Sequence, residues 1–311
     1  MKHKNIDISI VIPLLNEESN IRELFKQLRR VLEKAVEAFE IIFVDDGSTD
    51  QSFAVLKGLH QEYPDSVRVI KFSRNFGQQP AIAAGLKQAQ GKAVVVMDAD
   101  LQDPPEVIGQ FIAKWKEGFD VVYGVRSQRE GETFFKKFTA ELFYKFIRKI
   151  SCVEIPANVG DFYLLDRKVV DVFIELKEHH RFNRGLVAWM GFKRGVVMYT
   201  RKARHSGVTK YSLTKMIRFA LDAIMSFSFA PLRMISCFGI FLILFSIIIL
   251  LIILCLKTFA STMIAGWVFI ADSILFTGGL QLLAMGLIGE YLARIGEDTK
   301  ARPLFVVEEV L

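Results

Sequence analysis

Asp98 and Asp100 stand one residue apart at the end of the apolar run Ala93–Met97. In an extended segment, side chains two apart point the same way. The two carboxylates can therefore share one divalent cation, or divide the work between a cation and a sugar or ribose hydroxyl. A solvated turn after a strand also uses this spacing, but Leu101-Gln102-Asp103-Pro104-Pro105-Glu106 follows directly and adds an amide and two more carboxylates. A second group, Val44-Asp45-Asp46-Gly47-Ser48-Thr49-Asp50, again carries acids from an apolar run into a glycine turn. Acids there accept hydrogen bonds from a uracil or ribose edge, while Ser48, Thr49 or Asp50 caps the next helix, and the two uses are compatible. The first apolar run ends similarly, in Pro13-Leu14-Leu15-Asn16-Glu17-Glu18. A nucleoside diphosphate is anionic, so carboxylates beside it call for a metal between them, Mg²⁺ or Mn²⁺.

Side chains of this kind need strands that end together. From Ile6 to about Gln128, short β-branched runs alternate with helical patterns, the signature of an α/β domain with a largely parallel sheet. Strands are predicted at Ile8–Ile12, Ile41–Val44, Val67–Phe72, Ala93–Met97 and Asp120–Gly124, with amphipathic stretches near Glu18–Ala38, Gln51–Tyr63, Pro80–Gln90 and Pro104–Lys116. The acidic groups fall at the carboxyl ends of these strands, where open α/β sheets bind ligands.

The remainder of the chain has a different character. With 311 residues and a 51% hydrophobic composition, it exceeds what a soluble domain needs. Thr133–Ile150 is crowded with phenylalanine and lysine, a mixture that suits a membrane interface or a packing helix with a basic face. Leu213–Phe229 is amphipathic and leads into two apolar runs, Met234–Leu256 and Ile264–Ile288. At about 1.5 Å per residue each is long enough to cross a hydrocarbon core of about 30 Å, and together they read as a transmembrane hairpin. Asp272 lies within the second run and is expected to face the other helix or a neighbouring subunit, a faint indication of a homo-oligomer. Arg218 and Arg233 precede the first run and Arg294, Lys300 and Arg302 follow the second, which places both termini and the globular part on the cytoplasmic side of an inner membrane. The polar start, Met1 to Asn5, is not a signal peptide. Three cysteines form no disulfide or metal-type pattern. The formal charge of +6 is scattered and no nucleic-acid module is recognisable, so anionic lipid headgroups are the expected polyanions. The expected organisation is a globular domain over 1–208, a juxtamembrane helix over 209–231, two spans over 232–290 and a C-terminal tail over 291–311.

The Ile-Pro-Leu-Leu-Asn-Glu, Asp-Asp-Gly-Ser-Thr-Asp and Asp-Ala-Asp-Leu-Gln-Asp-Pro-Pro-Glu segments together resemble the family-2 glycosyltransferases of GT-A fold. Arg74-Asn75-Phe76-Gly77-Gln78, Gly160-Asp161-Phe162, Arg184-Gly185-Leu186 and the Arg201, Arg204, Gly207, Lys210, Tyr211 series narrow the resemblance. With the two apolar runs behind them, they are similar to the polyprenyl-phosphate glycosyltransferases, most closely the GtrB type. The resemblance implies nucleotide contacts from Pro13, Leu15, Glu17 and Asp46, with Asp98 beside the uridine and sugar, and Asp100 and Gln102 holding the metal. Asp161 matches an acidic position near the sugar, as hydroxyl ligand or base. It further implies a UDP-sugar donor, glucose being favoured, and inversion at the sugar.

The acceptor in this reading is a lipid phosphate monoester, mostly dianionic at neutral pH because its second pKa is near ~6. A general base is dispensable; cations that bring two anions together are not. Arg126, Arg201, Arg204 and Lys210 are the candidates, the last three also fitting a general attraction to anionic lipid. A processive polysaccharide synthase shares the core but carries Gln-x-x-Arg-Trp and more spans; here Trp189 stands five residues beyond Arg184. A non-catalytic sugar-lipid binding subunit would not need acids at three strand ends.

Overall fold

The structure is a computed structural model that describes residues 6–126, 159–176, 178, 181–200, 248, 266–300 and 302–311. It divides into two units, Met1–Ser226 with Arg302–Leu311, and Phe227–Ala301.

In the first unit, β1 (Ile8–Leu14), β2 (Phe39–Asp45), β3 (Val67–Phe72) and β4 (Ala93–Val96) alternate with α1 (Ile21–Ala35), α2 (Ser52–Glu62), α3 (Gln78–Gln88) and α4 (Val107–Lys116). Then come β5 (Val121–Arg126), β6 (Val159–Asp166), α5 (Arg167–Glu175), α6 (Asn183–Trp189), β7 (Arg194–Tyr199) and β8 (Val307–Val310). The eight strands form one sheet in the order β7-β5-β6-β4-β1-β2-β3-β8. β1 pairs in parallel with β2 and β4, β2 with β3, and β5 with β7; β6 runs antiparallel between β4 and β5, and β8 antiparallel to β3. The sheet is thus mostly parallel, as the alternation of elements requires.

Burial on both faces explains why β1 and β4 read as continuous apolar runs. One face packs against α1, whose Ile21, Leu24, Phe25, Leu28 and Leu32 recur at helical spacing and join β1, β2 and α4 in a single core. α3 lies on the other face, where Gly85 sits so close to Val11 that a Cβ would overlap its Cγ1. Far from the acidic strand ends, the opposite edge is tied by buried Glu40, which accepts from Ser9 Oγ (2.6 Å) and Gln90 N (2.7 Å) and pairs with Arg68 (3.3 Å). That carboxylate is fully occupied in holding the fold.

The region assigned to a C-terminal tail over 291–311 is divided differently. Up to Lys300 it continues one long helix, α7 (Gly266–Lys300), and from Val307 it is the edge strand β8 of the sheet in the first unit. Within the second unit, Trp267, Ile270, Ile274, Met285, Ile288, Leu292 and Ile295 of α7 are exposed. Among the described residues no helix is long and apolar enough to cross a membrane. Met234–Leu256 apart from Ile248, Thr133–Ile150, Leu213–Phe229, Arg201, Arg204, Lys210 and the side chain of Asp272 lie outside the described residues.

Candidate active site

The ends of β1 and β2 are stitched to each other. Asn16 (φ +54°) donates its amide to Ser48 Oγ (2.9 Å) and accepts from Thr49 N (2.8 Å), while Ser52 Oγ receives Glu17 N (2.9 Å). Asp45 accepts from Ser48 N (3.0 Å) and Asp50 from Ser52 N (2.9 Å), so these two acids shape the turn and the start of α2. Glu17 accepts from Asn20 Nδ2 (2.7 Å) at the entry to α1. Pro13 is buried in β1 and Leu15 half-buried beyond it.

Asp46 has a different partner. Its carboxylate accepts from Phe76 N (2.7 Å) and bidentately from Gly77 N (3.1 and 2.9 Å), at the positive end of α3. Burial lifts its carboxyl above the ordinary range, against the two amides, which favour the charged form. Gly47 makes the approach possible. It sits at φ +72°, and a Cβ there would lie 2.6 Å from the carbonyl carbon of Arg74 and 2.7 Å from Asn75 N, both backbone atoms that cannot swing aside. Gly47→Ala is therefore expected to destabilise the domain by roughly 2 kcal/mol or more, combining left-handed strain with a backbone clash. Thermal unfolding against Ser48→Ala checks this, since that neighbour loses the contacts of one half-buried hydroxyl to Asn16 and Asp45 but brings no backbone clash.

The two glutamines opening α3 reach the other acids. Gln78 Nε2 donates to Asp98 Oδ1 (2.7 Å), just past β4, and Gln79 Nε2 donates to Asp161 Oδ2 (3.1 Å) on β6. Gln79 also receives Asn183 N (2.9 Å) at its Oε1 and Asn183 Nδ2 (3.0 Å) at its backbone carbonyl, which fixes the start of α6. Arg184, next along, lies 3.8 Å from Asp161 Oδ1 and donates to the Val159 carbonyl (2.8 Å). Asp98 and Asp161, twenty and eighty-two residues from their glutamine partners, are thus held from one helical turn.

Asp100 is 8% exposed and accepts from Gln102 N (3.2 Å). Leu101 between them has φ +58°, uncommon for a leucine, and is buried in the core with Ala99. The packing of Ala99 and Leu101 thereby reverses the backbone and aims Asp100.

Arg126 ends β5 next to these residues. Its Nε donates to Tyr199 Oη (3.3 Å), and Tyr199 donates to buried Asp103 (2.6 Å), so a chain of two hydrogen bonds joins the guanidinium to the acidic segment after β4. Burial alone would lower the pKa of Arg126; the Tyr199 hydroxyl and the charges of Asp103 and Asp98 outweigh it and hold the group above its usual value. The guanidinium lies over Gly160, where a Cβ would overlap its terminal nitrogen.

The structure therefore gathers Asp98, Asp100, Gln102, Asp103 and Arg126 on linked segments, joins Asp161 to Asp98 through α3, and shows Asp46 and Glu17 engaged with the protein itself. The Gln78 and Gln79 bridges, Tyr199, Asp103 and Asn183 were not singled out from the sequence; only their position inside or beside the motifs signals them. Among the described residues no three His, Cys, Asp or Glu side chains are gathered tightly enough to hold a metal ion. Two carboxylates and an amide are nonetheless a hard-oxygen set, and their chemistry suits a divalent cation such as Mg²⁺ or Mn²⁺.

A mostly parallel sheet with acids and a half-buried guanidinium at one end defines an α/β protein of the kind that binds ligands beyond its strand ends. The glycosyl transferase family 2 pattern matches residues 9–173, and the chain belongs to that family. It is a glycosyltransferase. Relatives of nearly equal length include the uncharacterized glycosyltransferase YkcC of Bacillus subtilis strain 168, 46% identical over 98% of this chain and 94% of that protein. The bactoprenol glucosyl transferase of Shigella phage SfV is 39% identical over 97% and 98% of the two chains. The prophage bactoprenol glucosyl transferase homolog of Escherichia coli K12 is 38% identical over 97% and 99%. Among solved structures, glucosyl-3-phosphoglycerate synthase from Mycobacterium tuberculosis in complex with phosphoglyceric acid aligns at TM-score 0.47 and 21% identity, over 71% of this chain and 79% of that one.

Proposed function

We propose that this enzyme transfers one glucose from UDP-glucose to a polyprenyl phosphate at the cytoplasmic face of a membrane, with inversion at the anomeric carbon. The observation that carries the reading is the placement of Asp98, Asp161 and a half-buried, permanently charged Arg126 around one sheet end, in a chain similar over nearly its whole length to bactoprenol glucosyl transferases. The apolar side chains exposed along α7 support an anchor in lipid, where such a surface is covered by acyl chains. Met234–Leu256 would supply a second span, and both termini would be cytoplasmic.

In this reading an acceptor phosphate oxygen bonds to the anomeric carbon as the carbon's bond to the β-phosphate oxygen breaks, and UDP leaves. The dianionic acceptor needs no base, so the side chains bind, orient and neutralise. Arg126 faces the phosphate charge with a guanidinium fixed by Tyr199 and Asp103. Asp161, held by Gln79, accepts from sugar hydroxyls. Asp98, Asp100 and Gln102 would hold Mg²⁺ or Mn²⁺, which would supply positive charge beside the diphosphate. Asp46 acts by holding Phe76 and Gly77 at the nucleotide end. Arg201, Arg204 and Lys210 complete the phosphate-binding set in this proposal.

The test is a panel of radiolabelled nucleotide-sugars given to the purified enzyme with polyprenyl phosphate and Mg²⁺ or Mn²⁺. UDP-glucose is expected to put one label per lipid into the organic phase. Label that stays in water, or lipid carrying several sugars, overturns the reading, the latter in favour of a processive synthase.

A further inference from the structure

The segment Arg302–Leu311 follows α7 in sequence, yet it belongs to the first unit and occupies the β3 edge of the sheet. Leu311 exchanges two backbone hydrogen bonds with Val69 (3.0 and 2.9 Å), and Glu308 pairs with Lys71 (2.8 Å). The register shifts between Lys71, opposite Glu309, and Phe72, opposite Val307, which leaves Glu308 as an extra residue on β8. At that exit Val306 accepts from Ser73 N (3.1 Å), and the half-buried ring of Phe305 stacks on buried Phe72, centroids 5.0 Å apart and 11° between planes.

The contact continues into the site. Phe72 meets Phe76 edge-on at 5.7 Å, and Arg74 lies 4.0 Å over the Phe76 ring. Phe76 N and Gly77 N are the amides that hold Asp46, and Gln78 holds Asp98. Ser73, Arg74 and Asn75 are exposed and belong to no helix or strand. Gly47 closes on the loop from one side, Phe305 and Val306 from the other.

We propose that Phe305 is a positioning residue for the donor site. Its stack on Phe72 fixes the loop Ser73–Gly77, and through that loop Asp46 and Asp98, so that β8 on this edge sets the affinity for the nucleoside diphosphate. This rests on the reading of Asp46 and Asp98 as the donor end. It also gives the strand after α7 a purpose beyond covering a sheet edge: a displaced β8 would leave an enzyme that folds but holds its donor poorly.

The experiment uses the full chain with Mn²⁺ and compares the parent with Phe305→Ala, Phe305→Leu, Phe305→Tyr and Glu309→Gln. UDP affinity is read by calorimetry, KM and kcat by transfer assays, and folding by thermal unfolding. Phe305→Ala is expected to weaken UDP and raise the donor KM by about tenfold, on the scale of one lost aromatic stack with its burial, while kcat at saturating donor and the acceptor KM stay put. Phe305→Leu, which fills the space without a ring, should weaken UDP by about half as much on a logarithmic scale. Phe305→Tyr should restore it, and Glu309→Gln, at the half-exposed Lys57 contact (3.7 Å), should behave as the parent. A lowered melting temperature with unchanged UDP affinity in the alanine and leucine variants makes Phe305 merely structural and overturns the proposal. A parent that binds no UDP at all sinks the donor reading instead, and the positioning role with it.

Discussion

Asp100→Asn is expected to lower glycosyl transfer by about three orders of magnitude, roughly 4 kcal/mol of barrier, while leaving the fold intact. The substitution is nearly isosteric, and an amide oxygen can still accept from Gln102 N as the carboxylate does at 3.2 Å. The reversal that aims the side chain comes from buried Ala99 and Leu101, which the change does not touch. What disappears is one formal charge from the set formed with Asp98 and Gln102, so the hold on a divalent cation beside the diphosphate weakens. The expected signature is a loss of Mn²⁺-dependent UDP binding together with the loss of label in the organic phase, at an unchanged melting temperature. Transfer within tenfold of the parent, with Mn²⁺ dependence retained, would take Asp100 out of the cation site.

Ser48→Ala and Asp45→Ala offer a contrast, because both residues sit in an equally acidic-looking turn. Asp45 Oδ1 accepts from Ser48 N and Ser48 Oγ from Asn16 N, so their loss acts first on the turn between β1 and β2. The sequence motif alone does not separate these acids from Asp46, since adjacent residues after a strand alternate faces and both readings fit the run.

The central strands were legible because burial on both faces writes them as unbroken apolar runs: the expected Ile8–Ile12 and Ala93–Met97 match β1 and β4 to within two residues. β6 was not placed, although Gly160-Asp161-Phe162 was noticed, because a glycine and an aspartate at its start break the apolar run. The sheet supplies the reason for both: Asp161 receives Gln79 from α3, and Gly160 leaves space for Arg126. β8 is only Val307–Val310, with two glutamates in the middle, and its strand character comes from pairing with β3 rather than from its own pattern. The site was legible as motifs but not as a network. That Gln78 and Gln79 tie β4, β6 and α6 together depends on contacts across more than a hundred residues, which no local spacing encodes.

Gly160→Ala is expected to cut transfer by about a hundredfold, the equivalent of roughly 2.7 kcal/mol, with a much smaller effect on UDP affinity. The added methyl would occupy the place of the Arg126 guanidinium, whose far side is fixed by Tyr199 and through it by buried Asp103. A flexible arginine tip can move to relieve the overlap, so the domain should fold; what it gives up is the aim of the guanidinium that the proposed mechanism sets against the acceptor phosphate, and a small misplacement of an aligned charge is costly to rate. Arg126→Lys tests the same point from the other side, since it keeps the charge and loses the planar fork. If Gly160 acts only by making room, then Gly160→Ala in an Arg126→Lys background should add little to the loss already present, while Tyr199→Phe should resemble a weaker form of either. Strictly additive losses, or a Gly160→Ala enzyme whose acceptor KM and kcat match the parent, would mean that the guanidinium over this glycine has no part in phosphate recognition.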